Sequence, residues 1–161
     1  MSEASTACET AQPDKRERVW IHRCLARRDA LEPLTGEVEA FCQNRNLPGQ
    51  IRHAMGLGVE EAFMNIVEHG TGRDEPVHVE LALWTTEHAL AAELRDDGPP
   101  FDPLRASLDY PWQPASEQQG TQGLGLHLIR KLMDVLTYWR EEPWNCLRLE
   151  KAIPGDSGEA H

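Results

Sequence analysis

Basic residues are scarce in this chain: 16 Lys and Arg stand against 27 Asp and Glu, a formal net charge of −11 over 161 residues. Recognition of a phosphate backbone needs a basic surface, so a nucleic-acid partner is not expected. A small nucleotide held by backbone amides and a metal ion remains compatible with the acidity, as does a protein partner met through its basic groups. Solubility alone explains that acidity about as well. Long apolar runs are also missing. Nothing approaches the roughly 18–20 residues of a membrane span, and the opening "MSEASTACETAQPDKRER" lacks the apolar core of a signal peptide. The four cysteines (Cys8, Cys24, Cys42, Cys146) form no C-x-x-C pair, so a reduced, cytoplasmic protein is expected. His53 and His69 have no second ligand at metal spacing, which argues against zinc. No internal repeat is visible.

What is present reads as one domain with a sizeable core. Residues 1–16 are polar and expected to be disordered, 17–153 form the domain, and 154–161 are a flexible tail. "RVWIHRCLA" (18–26) alternates as a strand does. From Asp29 to Asn46, Leu31, Leu34, Val38 and Phe41 recur at helical spacing, with Asp29 a candidate N-cap. A second helix runs from about Gln50 to His69, placing Ile51, Met55, Val59, Ala62, Phe63 and Ile66 on one face, with Gly70 at its expected stop. Two alternating strands, "PVHVELALW" and "ALAAELRD", are joined by a hairpin-length "TTEH". Residues 98–120 carry five prolines and little periodicity, and so long a loop in a compact domain is usually functional. "GLGLHLIRKLMDVL" predicts a helix with Leu124, Leu128, Leu132 and Val135 inward, and strands near 137–142 and 145–152 follow. The order β-α-α-β-β-loop-α-β-β implies an α+β domain, a mostly antiparallel sheet with helices on one face.

Three segments can carry chemistry. In "RDDGPPFDP" (95–103), Asp96 shares strand parity with Leu90, Ala92 and Leu94, so its carboxylate points to the helix side. A charge there is costly unless it meets a donor; taken alone, the segment is as readily a stiff hydrogen-bonded turn. In "EEAFMNIVEHG", Glu61 and Asn65 lie one helical turn apart. Such a pair is usually just solvated, but an Asn oxygen can join a magnesium shell and a Glu can accept a proton from a nucleophile. In "QGTQGLGLHLI", Gly120, Gly123 and Gly125 precede a helix, where backbone N–H groups and the helix dipole suit phosphate, although a flexible cap is the commoner use. No lysine follows as in GxxxxGK[ST], and no βαβ unit surrounds the glycines.

In this order the three segments resemble the N, G1 and G2 boxes of the GHKL superfamily of ATP-binding domains: Glu61-x-x-x-Asn65, Asp96-x-Gly98-x-Pro100-Phe101-Asp102, and Gly123-Leu124-Gly125-Leu126. "VEEAFMNIVEHG" and "GLGLHLIRKLMD" look most like the anti-sigma-factor serine/threonine kinases. The resemblance covers about residues 18–152 and implies the Bergerat fold, a two-layer sandwich whose mixed, mostly antiparallel sheet is covered on one face by helices. It implies that Asp96 accepts from the adenine amino group, that Gly98 lets the base approach, and that Pro100 and Phe101 wall the pocket. Asn65 would bind Mg²⁺, Glu61 would orient or deprotonate the attacking hydroxyl, and Thr121, Gly123, Leu124 and Gly125 would line the phosphates of ATP. The implied partners are an anti-sigma-factor antagonist, phosphorylated on Ser or Thr, and a sigma factor or equivalent target. These relatives usually dimerise, so a homodimer is compatible. Two departures stand out: Glu60 replaces the Ser or Thr of many relatives, and "SEQQGTQG" lacks the Arg or Lys that some use on the γ-phosphate. A nucleotide-gated binding module without phosphotransfer is the alternative, and Glu61 is the residue it would not need.

Overall fold

The computed structural model describes residues 19–70, 74–105 and 124–155. In chain order its elements are β1 (Trp20–Leu25), α1 (Leu31–Asn44), α2 (Gly49–Gly70), β2 (His78–Thr85), β3 (Ala89–Asp96), α3 (Leu124–Leu132), β4 (Val135–Glu141) and β5 (Trp144–Ala152). The strands form one sheet in the order β1-β2-β3-β5-β4, and all four pairings are antiparallel. This is the α+β architecture expected from the sequence. Strand β3 is central, flanked by β2 and β5.

Alternation sets the two faces of the sheet. Val79, Leu81 and Leu83 of β2 lie opposite Asp96, Leu94 and Ala92 of β3, and together with Leu147 and Leu149 they meet the helices. Helix α2 contributes Met55, Val59 and Phe63, all fully buried, and α1 contributes Leu34, Val38 and Phe41. At Gly58 a Cβ would stand 3.0 Å from Leu149 and 3.1 Å from Met133. That position lets α2 press onto β5 and the end of α3. Burying these side chains supplies about 1.5–3 kcal/mol each for the larger aliphatic and aromatic ones. Cys24, Cys42 and Cys146 are free thiols. Burial, the largest influence on Cys42, pushes its thiol up to about 11, which keeps it protonated and unreactive at neutral pH.

Two local expectations are corrected. Asp29 does not cap α1: a 3-10 turn over Arg28–Ala30 precedes the helix, no side chain caps it, and the Asp29 carboxylate instead accepts from Arg27 Nη2 at 2.9 Å. The loop between α1 and α2 turns on Asn46, at φ 53°, a left-handed conformation that Asn tolerates at a helix C-terminus. Among the described side chains of α3 the buried ones are Leu126 and Ile129, joined by Met133 just past the helix end, while Leu128 and Leu132 are only half-buried. Val135 is 44% exposed and already begins β4. Apolar residues cover a broad arc of α3, so helical period alone cannot choose the buried line; contact with α2 and the sheet does.

Candidate functional site

Asp96 ends β3 with its side chain on the helix face, at 9% exposure. A carboxylate so placed must be hydrogen-bonded. Its Oδ1 accepts from Gly98 N at 3.1 Å and from Asn145 Nδ2 at 3.0 Å. Among the described residues no donor reaches Oδ2. Burial raises the Asp96 pKa, and the bonds from Asn145 and Gly98 oppose that rise. Gly98 is required by space: a Cβ there would lie 2.8 Å from Asp96 Oδ1.

The rest of "RDDGPPFDP" divides into neighbouring tasks. Asp97 turns to the other side of the sheet, where Oδ1 accepts from His78 N at 2.6 Å and Oδ2 lies 2.9 Å from His78 Nδ1. Pro99 offers its carbonyl to Asn145 Nδ2 at 2.9 Å. The Phe101 ring stacks on His69 of α2, centroids 3.8 Å apart at 27°. Asp102 Oδ1 accepts from Leu104 N at 2.9 Å and Arg105 N at 3.2 Å, the geometry of an N-cap with Pro103 in the first turn.

Between this loop and α2 lies a small cleft of about 30 Å³, partly open to solvent. Helix α2 supplies Asn65, Ile66 and His69; the sheet supplies Asp96, Tyr138 and Asn145. The walls are largely apolar with a few convergent polar groups, the composition usual for small-molecule sites. Asn65 and Asp96, expected together from their motifs, do line the same cleft. Glu61 lies one turn earlier on α2, half-buried and outside the lining. Burial is the largest cause of its raised pKa, followed by the charges of Glu60 and Glu68. Phe101 lines the cleft, but Pro100 is exposed and does not; Pro99 and Pro103 take its place. Leu124 and Gly125 fall in the first turn of α3, whereas Thr121 and Gly123 lie outside the described residues. The described residues contain no group of three or more His, Cys, Asp or Glu able to hold a metal. A cation here would need most of its ligands from substrate and water, as Mg²⁺ bound to phosphates has.

Sequence reasoning missed Asn145, the hub of the site. At 5% exposure, it donates to Asp96 and Pro99, while its Oδ1 accepts from Tyr138 Oη at 2.8 Å, Phe101 N at 3.1 Å and Arg140 Nη1 at 3.1 Å. A flipped amide would set its oxygen against two acceptors, so the network defines its orientation. Burial raises the Tyr138 pKa above its ordinary value, keeping it a phenol that donates. The available signal was parity: Asn145 shares the face of Leu147 and Leu149, a polar residue among inward apolar ones, just as Asp96 does.

The family described as histidine kinase-like ATPase domain matches residues 24–151, a span that contains the central strand, the cleft and all three motifs. The chain therefore belongs to the histidine kinase-like (GHKL) ATPase family. Among individual proteins it is similar to serine/threonine-protein kinase BtrW of Bordetella bronchiseptica, 32% identical over 100 residues, 62% of this chain and 70% of that protein. Its fold is similar to the crystal structure of the RsbU and RsbW domains of Rv1364c from Mycobacterium tuberculosis, with a TM-score of 0.57 and 14% identity. That match covers 85% of this chain and 33% of the longer one. No helix among the described residues is long and apolar enough to cross a membrane.

Proposed function

We propose that the protein is a cytoplasmic, ATP-dependent protein serine/threonine kinase that phosphorylates an anti-sigma-factor antagonist and, when not holding it, sequesters a sigma factor or equivalent target. The observation that carries the nucleotide reading is Asp96: a buried carboxylate with one oxygen held by Asn145 and Gly98 and the other without a protein donor among the described residues. That open acceptor would take the N–H of the adenine amino group, with Phe101 and Tyr138 bounding the ring.

Asn65 lines the cleft on the α2 side and would hold Mg²⁺ through its carboxamide oxygen; the ion, when bound, would screen the phosphate charge. Gly123, Gly125 and Thr121 would meet phosphate oxygens with backbone and hydroxyl donors. Glu61 would accept the proton as the substrate hydroxyl oxygen bonds to the γ-phosphorus and the bond to the β-phosphate oxygen breaks, releasing ADP. A carboxylate whose pKa is raised towards the working pH is a stronger base for that step.

The test is single-turnover transfer from labelled Mg-ATP to the candidate antagonist, run beside nucleotide titrations. Transfer to one Ser or Thr of the antagonist supports the kinase. Tight ATP and antagonist binding without transfer would make the protein a nucleotide-gated binding module. No heat and no thermal shift at millimolar nucleotide would refute ATP binding itself, because a ligand held by the folded state alone must stabilise it.

A further inference from the structure

Arg140 reaches the Asp96 turn from β4. It stands directly opposite Asn145 in the β4–β5 register and shares strand parity with Tyr138, on the cleft side of the sheet. Its Nη1 donates both to the Gly98 carbonyl at 3.2 Å and to Asn145 Oδ1 at 3.1 Å. The other edge of the guanidinium is gripped by Glu142: Nε donates to Oε1 at 3.0 Å and Nη2 to Oε2 at 2.9 Å. Such a bidentate pair fixes the plane of the fork as well as its position. One cation thus touches both residues that hold Asp96 Oδ1: Gly98 through its carbonyl, while its N–H donates to Asp96, and Asn145 through its amide oxygen.

We infer that Arg140 is a positioning residue for base selection: acting through Gly98 and Asn145, it aims the open oxygen of Asp96 into the cleft. This rests on the reading of the cleft as a nucleotide site. Loss of Arg140 leaves Asn145 its bonds to Tyr138 and Phe101, so the sheet and the amide survive. The Gly98 carbonyl loses its tether to β4, however, and the Asp97–Pro99 backbone, still held at its ends by His78 and Asn145, gains freedom at Gly98 between them. Asp96 then offers an acceptor in variable directions, and selection between a purine amino group and a purine oxo group suffers before the fold does. Lysine cannot substitute fully, because a single ammonium has no planar fork to span Gly98, Asn145 and Glu142 together.

The experiment titrates the full chain with Mg-ATP and Mg-GTP in wild type, Arg140→Met, Arg140→Lys, Asp96→Asn and the Arg140→Met/Asp96→Asn double variant, with a melting curve for each. Arg140→Met is expected to lower ATP affinity about tenfold while changing GTP affinity less than about twofold, with Arg140→Lys intermediate. In the Asp96→Asn background the same change should cost less than about twofold, because the group being aimed is gone. An equal loss of ATP affinity in both backgrounds, or an unchanged ATP-to-GTP preference, overturns the inference while leaving the nucleotide site standing. Wild type that binds neither nucleotide overturns the nucleotide reading and this inference with it. Should Arg140→Met fail to fold, Arg140→Lys carries the same comparison.

Discussion

Asp96→Asn separates recognition from stability, because the two depend on different oxygens of one carboxylate. In the substituted protein the amide oxygen can occupy the Oδ1 position and keep the bonds from Gly98 N and Asn145 Nδ2, now 3.1 and 3.0 Å. The amide nitrogen then falls where Oδ2 was and presents a donor to the donor of the adenine amino group. Losing one hydrogen bond to a charged group costs roughly 1.5–3 kcal/mol, or about 10–150-fold in ATP affinity. Stability moves the other way. Burial raises the folded-state pKa of Asp96, so the stability its protonated form contributes is fully present below the unfolded pKa of about 3.9 and is lost as pH rises through the folded value. At neutral pH the buried charge is a burden that asparagine removes. Apo Asp96→Asn should therefore melt at or above the wild-type temperature at pH 7, with the gap narrowing as the pH falls towards 4. Calorimetric titration and melting curves from pH 4 to 8 measure both halves. Wild-type ATP affinity in Asp96→Asn would reduce Asp96 to a turn residue, and a large drop in its melting temperature at pH 7 would refute the account of burial.

Three further outcomes are expected. Glu61→Gln should bind ATP as well as wild type and capture its protein partners, yet transfer phosphate at least about a hundredfold more slowly in single turnover; unchanged transfer removes Glu61 from the mechanism. Asn65→Ala should weaken ATP binding more in magnesium than in EDTA, and equal losses in both would make Asn65 a support of the helix and not of the ion. Gly98→Ala forces a Cβ to 2.8 Å from Asp96 Oδ1; overpacking of this kind costs about 1–3 kcal/mol, which lowers the melting temperature by a few degrees and ATP affinity more than tenfold. A Gly98→Ala protein that binds and melts like wild type would show that the turn yields freely.

The sequence determined on its own whatever depends on local pattern. Two-residue alternation defined β2 and β3 and aimed Asp96 at the helices; helical spacing defined α2 and set Glu61 one turn from Asn65. Ordered spacing of three short motifs was enough to indicate the family, because each motif is local and their succession along the chain is read directly. Tertiary structure decided what depends on elements meeting. Asn145 lies 49 residues from Asp96 and is brought beside it only because β3 and β5 are neighbours in exact register, with Asp96 opposite Asn145. Arg140 and Tyr138 join them through the β4–β5 hairpin, and His69 finds Phe101 only when α2 crosses the loop. The buried line of α3 was likewise settled by the surfaces it packs against. On the face away from the helices, Arg148 lies 5.2 Å from the ring centroids of both Trp84 and Trp139 and is paired to Glu93 at 2.9 Å, burying Trp84 to 5% exposure where strand parity alone predicts an exposed side chain. A chain pattern records which way a side chain points; what stands opposite it depends on pairings made across many residues, and those exist only after folding.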